Sequence, residues 1–256
     1  MLVIKLIIAL WMFFLGASIG SFLNVVIYRI PRRESIIFPP SHCPKCNHRL
    51  TPRDLIPVFS FILLRGKCRY CGKEISLRYF LVETFLGISF SLLFLFFDFS
   101  FFTFKSLIFL SFLLPIFFID LEHMLIPDII SLPGFLMGIF LSFLEGKLWE
   151  SLIGSITTGG ILFLIYLLAL IVYKQEGMGQ GDIKLGLLLG SFLGAKLGIL
   201  TLFLSFILGG IVSIFLVMSR NKNLREYIPF GPFLILAGIF AYFWGERLLS
   251  FYFSLL

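Results

Sequence analysis

The sequence predicts an all-α polytopic membrane protein of about eight transmembrane helices, with a small cytoplasmic zinc-binding insert between the first and second. Three observations carry this expectation. Hydrophobic residues fill 59% of the 256 positions and charged residues only 14%, with a mean hydropathy of +1.04. A soluble fold must turn about half of its residues toward water, which this composition cannot supply. Apolar runs near the roughly 20-residue span length recur between polar breaks. All four cysteines lie in one polar, proline-rich stretch.

The first run, 4–28, has a signal-like region at Ala17-Ser18-Ile19. It carries only Lys5 before a long apolar stretch, longer than a cleavable leader uses, and is read as a retained span. Residues 29–78 follow, with Pro31, Pro39, Pro40, Pro44, Pro52 and Pro57, and should be compact and mostly non-helical. Seven further helices are expected at 79–97, 101–119, 128–144, 150–173, 183–195, 197–218 and 229–254. The sixth is short, and Gly190 and Gly194 blur its end. Pro115 and Pro133 fall inside spans, where neighbouring helices can satisfy the freed backbone groups. The domain reading is therefore 1–28 first span, 29–78 tetracysteine segment and 79–256 membrane domain.

The net charge of +7 belongs to topology rather than to nucleic-acid binding, because eleven of the 21 Lys and Arg lie between Arg29 and Arg78. Sixteen of them fall on alternate connections, and the other side keeps Lys5, Lys105, Lys147, Lys196 and Arg247. By the positive-inside rule the first set is cytoplasmic and both termini lie outside.

The cysteines form two pairs, Cys43-Pro-Lys-Cys46 and Cys68-Arg-Tyr-Cys71. Each pair can place two thiolates on one tetrahedral zinc, and four protein ligands make a closed, structural site. Nearby Lys45, Arg49, Lys67, Arg69 and Lys73 would favour thiolates. The alternatives are two disulfides, disfavoured in a reducing compartment, or four free thiols. His42 and His48 flank the first pair as possible substitute ligands.

Ionisable residues at the mouth of a membrane bundle are functional candidates. The third span ends at Ile119-Asp120 and is followed by Glu122, His123 and Ile126-Pro127-Asp128. The sixth opens with Gly177-Met178-Gly179-Gln180-Gly181-Asp182-Ile183-Lys184. Both clusters fall on the same membrane face. Two close carboxylates share a proton, so one can serve as general base and the other as acid in peptide hydrolysis. Gly179 and Gly181 would let an extended substrate approach the backbone, with Asp128 and Lys184 in support. Other readings stand beside this one. Asp128 and Asp182 are acceptable N-caps, Asp120 could simply end its helix, and Glu122 and His123 could be solvated.

In chain order, Gly20-Ser21-Phe22-Leu23-Asn24-Val25-Val26-Ile27-Tyr28-Arg29, the paired C-x-x-C sequences, Ile119-Asp120 with Ile126-Pro127-Asp128, the G-x-G-D run at Gly179–Asp182 and Ile228-Pro229-Phe230-Gly231-Pro232 resemble the bacterial type IV prepilin peptidases, or leader peptidase/N-methyltransferases. The resemblance covers nearly the whole chain. It implies catalytic aspartates at Asp120 and Asp182, zinc on Cys43, Cys46, Cys68 and Cys71, and a multi-pass inner-membrane enzyme. Its substrates would be prepilins or pseudopilins of type IV pilus or type II secretion systems. It also implies N-methylation of the new terminus by S-adenosylmethionine. The G-x-G-D signature is shared with presenilin-like intramembrane proteases. Glu34, Asp54, Glu74 and Glu83 are acids that could attract a basic leader. The rival functions are a proton- or ion-coupled transporter and a zinc-bearing scaffold of a secretion machine.

Overall fold

The computed structural model describes residues 2–174, 179–219 and 228–254. Eight α-helices are assigned there: α1 Leu2–Arg29, α2 Phe59–Leu63, α3 Leu77–Phe97, α4 Phe101–His123, α5 Asp128–Leu144, α6 Leu148–Tyr173, α7 Gln180–Met218 and α8 Gly231–Ser254. Six of them are long and apolar enough to cross a membrane, and α5 is a shorter apolar helix. The chain divides into two compact units, residues 1–115 and 116–256, joined within α4.

In the first unit α1 and α3 pack through small residues. A Cβ on Gly20 would stand 2.8 Å from the Glu83 Cα, and one on Gly16 would stand 2.5 Å from the Leu86 carbonyl oxygen. Gly87 of α3 faces the Phe13 ring in the same way, at 2.8 Å. Glycines four apart let two backbones approach closely in lipid, where no hydrophobic drive brings helices together. Lys5 and Asp98, 2.7 Å apart, tie the start of α1 to the end of α3. At the other end the buried Arg29 guanidinium donates to the carbonyls of Ser35 (2.8 Å) and Pro39 (2.7 Å), fixing the chain as it leaves α1.

The second unit holds α5 to α8. Gly154 of α6 meets Gly190 and Gly194 of α7 backbone to backbone, and Gly186 fits against Gly159 and Leu162. The 39-residue α7 contains one non-helical residue, Gly194 (φ 72°, ψ 177°). The chain reverses there. Leu189, before the break, packs on Gly238 of α8; Leu197, just after it, packs on Gly245; Gly209 then returns to Phe233 and Phe230 at the start of α8. Phe206 stacks on Phe230 with centroids 5.2 Å apart. The arms 180–193 and 195–218 are thus the expected helices 183–195 and 197–218, folded back on each other. Only glycine adopts this backbone conformation without strain. The Ser191 carbonyl beside the turn accepts the hydroxyls of Ser142 (3.2 Å) and Ser151 (2.8 Å), so α5 and α6 both hold it.

Residues 29–78 are mostly non-helical, as expected, apart from a 3₁₀ turn at Pro52–Leu55 and α2. The expected basic connections 174–182 and 219–228, including Gly177 and Met178, lie partly outside the described residues.

Candidate active site and metal centre

Asp120 sits three residues before the end of α4 and Asp182 in the first turn of α7, only 5% and 7% exposed. Helix α4 ends because Met124 takes a positive φ of 52°, with its N–H on the Asp120 carbonyl at 2.9 Å. The chain then passes Ile126 and Pro127 into α5. The Asp182 N–H donates to the Gly179 carbonyl (3.1 Å), turning the chain into α7.

The two carboxylates, 62 positions apart in sequence, lie close enough for their charges to interact. Among the described residues, Oδ2 of Asp120 is buried with no partner at full hydrogen-bond geometry, and the Gly231 backbone lies against the same carboxylate. A third segment completes the site. A Cβ on Gly231, the first residue of α8, would stand 2.5 Å from that Oδ2. Ile126, 8% exposed, bridges the set: a Cβ on Gly181 would lie 2.8 Å from its Cβ, and one on Gly231 3.4 Å from its Cδ1. Gly179 borders the Asp182 carboxyl, where a Cβ would be 3.5 Å from Oδ2.

Asp128 and Lys184 form an ion pair of 2.6 Å between α5 and α7, with side chains 56% and 34% exposed. The capping position of α5 is Pro127, so Asp128 links two helices rather than capping its own. Asp182 likewise stands inside the first turn of α7 and is not its cap. Glu122 and His123 are exposed. Gly231 and Ile126 appeared in the sequence only within motifs, without a role. The one local signal was Pro232 after Gly231, a helix-start pattern.

The cysteine sulfurs all lie within 4.8 Å of one another, Cys43 and Cys71 being 4.0 Å apart. Tetrahedral zinc with Zn–S of about 2.3 Å sets sulfurs about 3.8 Å apart, so the donor set fits the ion. The two halves are alike. Isolated bridges His42↔Arg49 and Lys67↔Glu74 each enclose one pair. In each half the N–H four residues on, Asn47 or Gly72, returns to the first cysteine's carbonyl at 2.8 or 2.9 Å. Both residues take positive φ, 54° and 69°, which suits Asn and Gly. His48 stacks on Tyr70 across the halves, with centroids 3.6 Å apart, and His42 Nδ1 lies 3.0 Å from the Pro40 carbonyl. Neither histidine belongs to the sulfur cluster. Asp54 braces the segment: its carboxylate accepts from Thr51 N–H (3.0 Å), Thr51 Oγ1 (2.7 Å), Arg69 Nε (2.7 Å) and the Tyr70 hydroxyl (2.9 Å). Burial works against its charge, but these donors outweigh burial and hold the carboxyl well below the usual carboxylate range. It is therefore committed within its own segment.

Two family models match this chain: the bacterial peptidase A24 N-terminal domain over residues 14–97 and the type IV leader peptidase family over 107–214. Curated relatives called prepilin leader peptidase/N-methyltransferase come from Aeromonas salmonicida (34% identical; 94% of this chain and 92% of that protein), Pseudomonas aeruginosa (33%; 91% and 89%) and Bacillus subtilis (34%; 94% and 96%). No solved structure matches it. With both halves of the chain matched in order and relatives aligned nearly end to end, this chain belongs to the type IV leader peptidase family.

Proposed function

We propose that this chain cleaves the short basic leader from type IV prepilins or pseudopilins, with Asp120 and Asp182 as its catalytic pair, and N-methylates the exposed terminus. The observation that carries the peptidase reading is two buried carboxylates brought together from the ends of different membrane helices. Such a pair shares one proton. The ionised member takes a proton from water as its oxygen bonds to the scissile carbonyl carbon. The protonated member gives its proton to the carbonyl oxygen. Collapse of the tetrahedral intermediate breaks the C–N bond, and the amine leaves with a proton.

Residues 79–256 form the peptidase domain in this reading, and 29–78 the zinc segment, held by Cys43, Cys46, Cys68 and Cys71. Both lie toward the cytoplasmic side of the inner membrane, where a prepilin's basic leader meets its apolar helix. Gly179 and Gly181 leave room for the substrate backbone, and Asp128 with Lys184 braces α5 against α7. The methyl donor is S-adenosylmethionine; this half rests on the relatives' names, and no residue of the chain is assigned to it. A transporter would place its carboxylates near mid-span, whereas these lie at helix ends.

Asp120→Asn and Asp182→Asn are each expected to lower prepilin cleavage by about 10²- to 10⁴-fold, the usual size of a general acid–base contribution. Purified variants incubated with prepilin in detergent, with the product resolved by mass, test this. Full processing by either variant sinks the assignment.

A further inference from the structure

Residues 55–64, Leu-Ile-Pro-Val-Phe-Ser-Phe-Ile-Leu-Leu, contain no charge and are bracketed by Arg53 with Asp54 and by Arg65 with Lys67. An apolar stretch of this length is too short to span a bilayer and suits a re-entrant or interfacial segment. Its contacts lie well inside the two neighbouring helices. The Phe59 ring stacks on Phe14 of α1, centroids 5.8 Å apart and planes 17° apart. Phe14 lies fifteen residues before Arg29, about 22 Å along the helix at 1.5 Å per residue. On α3, the Val58 N–H donates to Glu83 Oε2 at 2.7 Å, and Phe61 stacks on Phe80 with centroids 5.3 Å apart. Glu83 is six residues into α3, roughly 9 Å beyond its start. The chain therefore descends beside the α1–α3 pair to its apolar level and returns.

Its backbone is arranged for such a place. The N–H groups of Ser60, Ile62, Leu64, Arg65, Gly66 and Lys67 all donate to carbonyls of the same turn. Val58 begins the turn with a positive φ of 65°, costly for a β-branched residue. Its N–H points at α3, where Glu83, 7% exposed, receives it. Irregular backbone at membrane depth requires such a partner, because lipid offers none. That accounts for a buried carboxylate which the proteolytic chemistry does not use. The outer face carries Ile56, Phe59, Ile62 and Leu63, exposed by 47%, 46%, 56% and 79%. On α3, Leu81 and Phe85 are exposed too, by 47% and 42%.

We propose that residues 55–64 form a re-entrant turn that enters the bilayer, with Ile56, Phe59, Ile62 and Leu63 against lipid acyl chains and Glu83 capping its backbone from α3. The metal-binding halves before and after it are thereby anchored to the membrane between α1 and α3.

The test uses the full zinc-loaded chain in phosphatidylethanolamine–phosphatidylglycerol vesicles doped with a phospholipid carrying a diazirine at the end of one acyl chain. After irradiation and digestion, mass spectrometry should find Phe59, Ile62 and Leu63 labelled as heavily as Phe85, with little label at 41–50. Label on Phe85 but not on 55–64 overturns the proposal, as does oxidation of Phe59 and Leu63 by hydroxyl radicals at the rate of exposed loop residues, or capture of a protein partner on this face in place of lipid. Catalysis plays no part in the measurement, so its failure leaves the peptidase reading standing, and an inactive dyad leaves this one.

Discussion

Gly231 has no side chain where one would meet Asp120. A methyl at that point would stand 2.5 Å from Oδ2 and 3.1 Å from Cγ, so either the carboxylate or the start of α8 must move. A misplacement of about 1 Å in a catalytic group can cost on the order of 10²-fold. Gly231→Ala should therefore lower prepilin cleavage by about that factor, chiefly through kcat, with KM little changed. Methylation of an already cleaved pilin by the same preparation should persist; a parallel loss of both activities would mean that the substitution simply unfolds the protein. The Asp128–Lys184 pair, though only 2.6 Å long, is largely exposed, and its contribution is that of a surface ion pair, about 0–1 kcal/mol.

At the scale of elements, the two C-x-x-C halves and the turn at Gly194 show opposite kinds of dependence. The segment 29–78 has few buried residues, with Cys43, Val58 and Cys68 among those under 9% exposed. A core this small relies on its staple for folding energy. Stripping the metal with a strong chelator should open the chain between Cys43 and Cys71 to proteases while the helical circular dichroism signal is kept, and zinc should restore protection. Loss of helix signal in step with the metal would contradict this. The turn of α7 depends instead on one glycine. A Cβ at Gly194 would meet nothing closer than the Glu150 carbonyl oxygen at 3.8 Å, so the cost of Gly194→Ala is conformational rather than steric. It is expected to destabilise the protein by about 1–3 kcal/mol, read as a lower midpoint in detergent unfolding; an unchanged midpoint would show that the reversal does not need that backbone conformation.

For the molecule as a whole, charge and apolar length together set orientation. The proposed cytoplasmic face gathers sixteen of the 21 basic residues. The reversal at Gly194 returns the second arm of α7 to the end where α8 begins, beside Asp120. The described helices comprise eight apolar rods, counting both arms of α7, and in the proposed topology an even number of crossings would put both termini on the side opposite the zinc segment. An alkaline phosphatase fused after Leu256 should accordingly be active in cells, and one fused after Lys73 inactive; the reverse pattern would invert the proposed topology.

Membrane class, helix positions and the metal-binding halves were legible in the sequence, because hydropathy and C-x-x-C spacing are near-neighbour properties. The break at Gly194 lies within the last two residues of the expected sixth helix, 183–195, whose end its glycines had blurred, since a glycine interrupts a run locally. Asp120 and Asp182 stood out as ionisable residues at span ends, but so did Asp128, Glu122 and His123. The family resemblance singled out the first two, and the tertiary structure adds the physical difference: it buries Asp120 and Asp182, pairs Asp128 with Lys184 and leaves Glu122 and His123 exposed. It alone puts Gly231 and Ile126 at the site and Phe59 beside Phe14. The physical reason is that close approach between distant segments is decided by missing side chains and by single hydrogen bonds, such as Val58 to Glu83, and neither leaves a periodic trace along the chain.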